Sequence, residues 1–397
     1  MPTIFAIFAD NTNILCAAMS ALYIHIPFCK TRCSYCDFYK STSCARCDDY
    51  IAALGREMSF RHGFFEEGDV PTTLFFGGGT PSVYPPQMLQ RLIDRARSEW
   101  GFGELEEVTV EANPDDITDD YLAALAATEV NRLSMGVQSF VDRDLKMLGR
   151  RHDSAQAINA VRAAQRHGFG NISIDLMFGI PGMTQCEWEE NLATALSLGV
   201  QHISAYALTI EPASPLGRRV ETGAVVPESD EVYEQQFRMC HDILTSGGFE
   251  HYEISNFALG SGEFRSRHNY AYWSGVHYLG LGPSAHSYNG SQRIWVADDL
   301  DRYIDAAGSD VLYGYETLSP TDKYNEFIMT ALRTSDGLNR TAFVNQFGVD
   351  AVQRFEASAA EFVKNGDIIR IGDRYVIPYE KFMVSNSIIS ELFCIEP

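Results

Sequence analysis

The stretch Cys29-Lys30-Thr31-Arg32-Cys33-Ser34-Tyr35-Cys36 carries the most information in this sequence. It places three cysteines in one short segment, separated first by three residues and then by two. Soft thiolate ligands select zinc, copper(I) or an iron–sulfur cluster. Three thiolates can hold a 4Fe–4S cluster but leave one iron without a protein ligand, whereas electron-transfer clusters normally have four. The pattern therefore predicts a cluster whose open iron can bind a substrate or cofactor, with Cys29, Cys33 and Cys36 as ligands.

A structural zinc site is the alternative interpretation of these cysteines. It would be completed by His25 or by the nearby Cys44-Ala45-Arg46-Cys47 pair. Structural zinc sites usually combine two short ligand pairs that lie far apart in the sequence. Because the spacing here differs from that pattern, we favour the cluster.

The cysteine spacing, together with the preceding segment Leu22-Tyr23-Ile24-His25-Ile26-Pro27-Phe28, resembles the radical S-adenosylmethionine (radical SAM) superfamily. Within it, the chain is similar to the branch that contains the oxygen-independent coproporphyrinogen III dehydrogenases (HemN) and the HemW haem chaperones. In that superfamily the open iron binds the amino and carboxylate groups of S-adenosylmethionine, and an electron from the cluster cleaves it to a 5′-deoxyadenosyl radical. The resemblance implies three cofactors: a 4Fe–4S cluster, S-adenosylmethionine and haem.

Length and composition predict two domains and exclude some partners. At 397 residues the chain exceeds the size at which a single core stops growing, so we expect one large domain and a smaller one. The net charge of −22 argues against a nucleic-acid partner, which would need clustered Lys and Arg. An odd number of cysteines, 9 in all and clustered early, indicates metal ligation in a reducing compartment rather than disulfides.

The sequence predicts a protein without a membrane span. No segment is apolar for long enough to cross a bilayer. Residues 1–20 lack the basic start of a signal peptide, so we expect a disordered or non-native extension, with Met19 as a candidate true start. The expected location is cytoplasmic, with peripheral contact at the inner membrane face and dimer formation left as options.

Short β-type runs alternate with amphipathic helical patterns between residues 22 and 208. The predicted strands are Leu22–Ile26, Thr73–Phe76, Glu107–Glu111, Arg132–Val137, Ile172–Met177 and His202–Leu208. The predicted helices are Asp49–Phe60, Pro86–Trp100, Asp119–Ala127, Ser154–His167 and Cys186–Leu198. This alternation predicts a parallel α/β sheet. Six strands match the partial (β/α)6 barrel that the radical SAM resemblance implies, and we place this domain at residues 21–310.

A different pattern predicts a second, small α+β domain at residues 311–397. Its predicted helices and strands are Asp322–Arg333, Arg340–Phe347, Asp350–Asn365, Ile368–Ile371, Tyr375–Pro378 and a closing helix at Lys381–Phe393. Helices followed by a hairpin look like a winged-helix module, which in so acidic a chain we interpret as a lid or a partner surface. The Gly/Pro-rich segment Tyr278–His286 is predicted to form a loop near the barrel mouth.

Residues at the ends of the predicted strands are the candidate site, because active sites of parallel barrels lie at the carboxyl ends of strands. Glycines after the second strand, in Gly77-Gly78-Gly79-Thr80-Pro81, let a ligand approach the backbone, whose exposed N–H groups can hold an anion. Asp175 lies in an apolar strand and needs a partner, because burying an unpaired charge is costly. Arg150 is the candidate partner, with a purely structural ion pair as the alternative.

The family resemblance turns these positions into a predicted S-adenosylmethionine site. The residues that match the contacts of HemN are Tyr23, Gly78, Gly79, Thr80, Glu111, Gln138, Arg150, Asp175 and Ala207. Tyr35 is also predicted to bind a cofactor. We expect Gly79 to be bare because a Cβ atom would fill space reserved for the methionine group.

Two departures separate the HemN and HemW branches. HemN has a further cysteine two positions after the third ligand, where this chain has Phe38, and a long ordered segment before its barrel, for which this chain has about twenty residues. The segment His268-Asn269-Tyr270-Ala271-Tyr272-Trp273 matches the HNxxYW pattern of HemW. Without the resemblance, we would interpret this segment as a packed loop whose histidine only forms hydrogen bonds. With the resemblance, His268 is the predicted haem ligand, and His25, His277 and His286 are the rival ligands.

The sequence therefore favours a haem chaperone of the HemW type, which would bind haem and pass it to haem-requiring proteins, including membrane respiratory subunits. Two alternatives stay open. One is an enzyme that converts coproporphyrinogen III by two oxidative decarboxylations, and the other is a structural zinc protein. Whether the chain is an enzyme is left undecided at this point.

Overall fold

A computed structural model of the chain describes residues 20–66 and 68–395. The expectation for residues 1–20 falls outside this range, apart from Ser20, which begins the first strand. No helix in the described residues is long and apolar enough to span a membrane.

Six parallel strands form the centre of the fold, and their identities agree with the prediction to within a few residues at each end. They are β1 Ser20–Ile26, β2 Pro71–Gly78, β3 Glu107–Ala112, β4 Arg132–Gln138, β5 Ile172–Phe178 and β6 His202–Ala207. Each pairs in parallel with its successor in the chain. The strand–helix alternation of the sequence is thus confirmed.

Helices connect these strands and cover the outer face of the sheet. They are α1 Cys47–Phe60, α2 Pro86–Trp100, α3 Asp119–Leu125, α4 Asp142–Leu148, α5 Ser154–Arg166 and α6 Gln185–Ser197. Their boundaries follow local capping chemistry. A capping box formed by Asp153 and Gln156 starts α5, and Gly101 ends α2 in a left-handed conformation that glycine adopts without steric cost. The short helix α4 was not predicted.

The remaining elements of the larger domain extend the sheet on both sides. They are α7 Pro215–Glu221, α8 Asp230–Ser246, β7 Phe249–Glu253, β8 Asn256–Leu259, α9 Arg267–Trp273, β9 Tyr278–Leu281, β10 His286–Tyr288, β11 Gln292–Val296, α10 Leu300–Ala306 and β12 Tyr313–Thr317. The strand order is β12-β11-β10-β9-β1-β2-β3-β4-β5-β6-β8-β7. The sheet is therefore open, as a partial barrel requires, and the predicted (β/α)6 class is confirmed.

One predicted loop is wrong. Tyr278–Leu281 is a buried strand that pairs in parallel with β1. Gly280 is needed for close packing rather than for a turn, because a Cβ atom there would lie 2.2 Å from the carbonyl oxygen of His286. The larger sheet also continues to Thr317, beyond the domain boundary that we placed at residue 311.

A smaller unit follows at the C-terminal end. Its elements are α11 Pro320–Ala331, β13 Leu338–Asn339, α12 Arg340–Phe347, α13 Val349–Asn365, β14 Ile369–Ile371, β15 Arg374–Val376 and α14 Ser385–Ser390. The hairpin β14–β15 and β13 form a separate three-stranded sheet, in agreement with the α+β prediction. The predicted closing helix is shorter than expected, because Tyr379–Val384 forms a 3₁₀ turn before α14.

The two faces of the parallel sheet differ in chemistry. Apolar residues such as Leu22, Ile24, Leu74 and Phe76 belong to the main hydrophobic core. Polar residues occupy the alternate positions and are also buried: Thr73, Glu107, Thr109, Arg132, Ser134, Ser173, His202 and Ser204. Because successive side chains of a strand point to opposite faces, the sheet presents an apolar outer face and a polar inner one. The interior of the barrel is therefore suited to a polar ligand.

Candidate functional site

The segment that carries the three cysteines is fixed to the barrel at several points. The backbone N–H of Cys29 donates to the carbonyl of Ser41 at 2.9 Å. At the middle of the segment, Ser34 N donates to the Leu148 carbonyl at 2.9 Å, and its Oγ donates to the Met147 carbonyl at 2.8 Å. The cysteines are thus held by Ser41 on one side and by the end of α4 on the other.

Cys29, Cys33 and Cys36 line one cavity of about 360 Å³ at the carboxyl ends of the strands. All three are free thiols and partly exposed. In the described residues, no group of three or more His, Cys, Asp or Glu side chains lies close enough to hold a single metal ion. Among the described residues, the mononuclear zinc hypothesis therefore lacks a convergent ligand set.

Cys44 and Cys47 are bonded to each other in a disulfide at the start of α1. Their sulfurs are thereby withdrawn from the zinc site that we considered. The expectation that the cysteines of this chain serve metal ligation rather than disulfides is wrong for this pair. The sequence does contain the signal, because two cysteines separated by two residues at a helix start can reach each other.

Gly78 and Gly79 line the cavity of the three thiols, and both also pack closely against neighbouring groups. A Cβ atom on Gly79 would lie 2.7 Å from the carbonyl oxygens of Ile26 and Phe28, and one on Gly78 would lie 2.5 Å from the His25 ring. The N–H of Gly79 donates to the Ile26 carbonyl at 2.7 Å, and that of Gly78 donates to Glu111 at 3.1 Å. These N–H groups are therefore not free to hold an anion, and Gly79 is bare because it contacts β1.

Glu111 and Asp175 face the same cavity from β3 and β5. Burial, with the nearby Asp175 charge as a second cause, raises the pKa of Glu111 to about 8. Burial also raises the pKa of Asp175 to about 6, against the stabilising hydrogen bond of Ser204. Carboxyl groups with pKa values this close to neutrality can bind a ligand either as hydrogen-bond donors or as charges.

Arg150 does not pair with Asp175 as predicted. Its Nη1 donates to Cys33 Sγ at 3.3 Å, and its Nη2 donates to Asn113 Oδ1 and to the Gly136 carbonyl. Asp175 Oδ1 instead accepts a hydrogen bond from the Ser134 hydroxyl at 3.5 Å, and Ser204 is a second hydroxyl partner. The guanidinium is thus committed to the cysteine segment, and Asp175 is held by hydroxyl groups.

The remaining predicted contacts divide between two cavities. Tyr35, Thr80 and Gln138 line the first cavity. Gln138 has a positive φ of 70° and is 7% exposed, and its Oε1 has no hydrogen-bond partner in the described structure. A strained backbone and an unsatisfied buried oxygen both cost energy, and such features concentrate at ligand sites. Ala207 does not line the first cavity.

A second cavity of about 180 Å³ lies deeper in the barrel. Tyr23 and His268 line it, and Glu111, Ser134, Asp175 and Tyr206 line both cavities. Sequence reasoning missed several lining residues: Asn113, Ser134, Met177 and Tyr206. Strand alternation could have indicated Ser134, Met177 and Tyr206, because each lies an even number of residues from a residue of its own strand that faces the interior.

His268 lies in α9, which packs against the amino-terminal ends of the strands. It is 1% exposed, and both ring nitrogens are engaged: Nδ1 lies 3.0 Å from Thr73 Oγ1, and Nε2 lies 3.0 Å from the Tyr272 hydroxyl. Burial lowers its pKa to about 3, so the imidazole is neutral. Since pockets for drug-sized ligands measure about 300–1,000 Å³, the second cavity is too small for a haem. The predicted axial role of His268 stays a prediction.

Of the rival histidines, His25 is the least available. Its Nδ1 lies 3.1 Å from the Tyr23 hydroxyl, and its Nε2 lies 3.2 Å from the Tyr39 carbonyl. His277 Nδ1 is paired with Asp69 at 2.7 Å. His286 is exposed on β10. Accessibility alone thus favours His286 and His277 over His268.

The shifted carboxyl groups predict a pH-dependent stability in the absence of cofactors. Because the folded pKa of Glu111 is raised, its stabilising contribution is complete below the unfolded pKa and is lost as the pH rises towards 8. As the pH rises from roughly 6 to 8, the unfolding free energy of the unmodified protein should fall by about 2 kcal/mol relative to that of Glu111→Gln, because glutamine does not ionise. Urea unfolding at several pH values measures this. For the exposed-site control Glu106→Gln, the plot of unfolding free energy against pH should be parallel to that of the unmodified protein. A parallel plot for Glu111→Gln would contradict the raised pKa of Glu111.

Comparison with known proteins agrees with this geometry. The radical SAM superfamily model matches residues 23–195, and the HemN C-terminal domain model matches residues 318–378. The relative called "Heme chaperone HemW" in Lactococcus lactis is 35% identical over 330 residues, which cover 83% of this chain and 85% of the relative. Its namesake in Bacillus subtilis is 33% identical over 374 residues, which cover 93% and 98%.

Among solved structures, coproporphyrinogen III oxidase (HemN) from Escherichia coli, described as a radical SAM enzyme, has a TM-score of 0.81 and 23% sequence identity. The match covers 95% of this chain and 90% of that one. This likeness concerns the fold, whereas the relatives above share identity over most of both chains. The chain belongs to the HemW family of the radical SAM superfamily.

Proposed function

We propose that this chain is a haem chaperone that holds a 4Fe–4S cluster with bound S-adenosylmethionine. The observation that carries the proposal is the single cavity shared by three free thiols, by the strand-end residues Glu111 and Gln138, and by Arg150. The names of the curated relatives supply the haem part of the proposal. The recipients would be haem-requiring proteins, with membrane respiratory subunits as one class.

Cys29, Cys33 and Cys36 would hold the cluster, which supplies one-electron chemistry and an iron free to bind a cofactor. The residues of this chain determine how that cofactor sits. Glu111 presents a carboxyl group held by the Gly78 N–H, and Gln138 presents an amide oxygen without a partner among the described residues. Both can accept hydrogen bonds from the amino group or the ribose of S-adenosylmethionine.

Binding of S-adenosylmethionine should therefore depend on Glu111 and Gln138. Glu111→Ala and Gln138→Leu should each weaken the affinity by about 1.5–3 kcal/mol, the value of one hydrogen bond to a charged group. Calorimetry on anaerobically reconstituted protein measures this, and the iron–sulfur absorption should persist. Gln165→Leu is the matched control, because Gln165 lies on α5 outside the cavity, where its side chain donates to the Leu198 carbonyl. Unchanged affinity in both site variants would refute the pocket.

Haem binding should depend on His268 and on the Tyr272 hydroxyl that contacts its Nε2. Haem added to the protein should give a shifted Soret band, which His268→Ala should diminish or move without loss of the cluster signal. Tyr272→Phe removes the hydroxyl 3.0 Å from Nε2, so ligation no longer has to break that bond. We expect Tyr272→Phe to tighten haem binding by about 0.5–1.5 kcal/mol.

The result that would remove the axial role is a His268→Ala variant with the original spectrum and affinity. The same titration with alanine at His286, His277 and His25 would then identify the ligand. Because His286 is exposed, its variant should fold normally.

The experiment that tests the proposal as a whole is anaerobic reconstitution followed by haem titration with and without S-adenosylmethionine. We expect a cluster, S-adenosylmethionine binding and haem binding in one preparation. Formation of protoporphyrinogen from coproporphyrinogen III would instead establish the dehydrogenase. The fold of this chain is similar to that of HemN, which is the reason to test for this activity. Against it, Phe38 stands where HemN has a further cysteine, and its side chain is 71% exposed in the cavity of the thiols.

A further inference from the structure

Two of the three cluster cysteines accept a hydrogen bond from a residue outside their own segment. Thr80 Oγ1 donates to Cys29 Sγ at 3.4 Å, and Arg150 Nη1 donates to Cys33 Sγ at 3.3 Å. The two donors come from different segments, because Thr80 follows β2 and Arg150 follows α4. Both sulfurs are therefore contacted from the wall of the barrel.

One side chain joins the two donors. Asn113 directly follows β3, and its Nδ2 donates to Thr80 Oγ1 at 3.3 Å. Its Oδ1 accepts from Arg150 Nη2. Its backbone N–H donates to Ser82 Oγ at 3.3 Å, which fixes the residue itself. Asn113 is thus the shared partner of both sulfur-contacting groups.

The polarity of these bonds determines where the donors point. Because the Thr80 hydroxyl oxygen accepts from Asn113, its single hydrogen is left to donate to Cys29. Because Arg150 Nη2 is used by Asn113 and by the Gly136 carbonyl, the guanidinium is held in the plane that aims Nη1 at Cys33. An asparagine can fill this position because its side chain has both a donor and an acceptor.

Hydrogen bonds to the sulfurs are one of the factors that set the reduction potential of an iron–sulfur cluster. A donor stabilises the more negative, reduced cluster and so raises the potential. We propose that Asn113 is a positioning residue that orients Thr80 and Arg150 towards the cysteine sulfurs and thereby raises the reduction potential of the cluster. This inference rests on the proposed function, because it presumes that the three cysteines hold a cluster.

The test is a redox titration of the reconstituted protein without S-adenosylmethionine, monitored by absorbance and electron paramagnetic resonance. In Asn113→Leu, the ratio of reduced to oxidised cluster at a fixed potential should fall about tenfold, which is 59 mV for a one-electron couple. Asn113→Asp keeps the acceptor for Arg150 but loses the donor to Thr80, and its ratio should fall as well. Iron and sulfide content should match the unmodified protein.

Asn131→Leu is the matched control. Asn131 sits at the opposite end of β3, where its Oδ1 accepts from Val108 N at 2.8 Å and its Nδ2 donates to the Glu106 carbonyl at 3.2 Å. Its loss should disturb the strand to a similar extent and leave the ratio unchanged. Thr80→Val should lower the ratio, and adding Asn113→Leu to it should lower the ratio by less than Asn113→Leu does alone.

An intact cluster with an unchanged ratio in both Asn113 variants overturns the inference and leaves the proposed function standing. An equal fall in Asn131→Leu overturns it too, because the effect would then be general destabilisation. If the unmodified protein assembles no cluster, both proposals are wrong. Should Asn113→Leu fail to fold, the aspartate variant and Thr80→Val decide the question.

Discussion

Alanine at Cys29, Cys33 or Cys36 is expected to abolish the visible iron–sulfur absorption completely. The three thiols line one cavity, and each would hold a separate iron of the cluster. No other free cysteine lines this cavity in the described residues, so a lost thiolate has no substitute. Absorbance and iron content after anaerobic reconstitution measure the effect.

Cys44→Ala and Cys47→Ala are the controls for this experiment. Their sulfurs are bonded to each other, not to the cavity. Both variants should therefore keep the cluster. Loss of the cluster in either control would show that the ligand assignment is wrong.

Glu107→Ala should lower the unfolding free energy by about 3–5 kcal/mol, the cost of breaking a buried ion pair from one side. Glu107 is 3% exposed, and its carboxylate accepts from the backbone N–H groups of Arg267 and His268, each at 3.0 Å. Its oxygen also lies 3.9 Å from the Nε of buried Arg132. Removal leaves that guanidinium without its counter-charge and α9 without its anchor. Chemical denaturation measures the loss.

Glu106→Ala is the adjacent control. Glu106 is paired with Arg267 at 2.7 Å, but both side chains are nearly half exposed. Exposed pairs contribute about 0–1 kcal/mol, so this change should have little effect on stability. Equal losses in the two variants would mean that the buried network has no special role. A loss below about 1 kcal/mol in Glu107→Ala would contradict the mechanism.

Local sequence was sufficient for several features of this protein. Close cysteine spacing identified the segment whose three thiols line one cavity, since the type of ligand that a segment offers follows from residue identity and separation. Hydrophobic periodicity predicted the six parallel strands, because alternation and strand–helix order are properties of the chain itself. The boundaries of α2 and α12 were predicted to the residue, since capping residues such as Gly101 act locally.

Features that depend on which segments meet required the tertiary structure. The sequence shows Arg150 and Asp175 as a complementary pair, but the fold directs Arg150 to Cys33 and leaves Asp175 to hydroxyl groups. It shows Gly79 beside a cofactor site, but only the contact with Ile26 explains why no side chain fits. Pairings between residues more than a hundred positions apart are set by strand register, which local pattern does not encode.

His268 shows the same division most clearly. The sequence by itself determined a histidine in a family motif, and with it the expectation of a haem ligand. The tertiary structure decided that both ring nitrogens face hydroxyl groups at 3.0 Å in a closed interior. The physical reason is that residue type determines which bonds a group can form, whereas burial and neighbours determine which of them it does form.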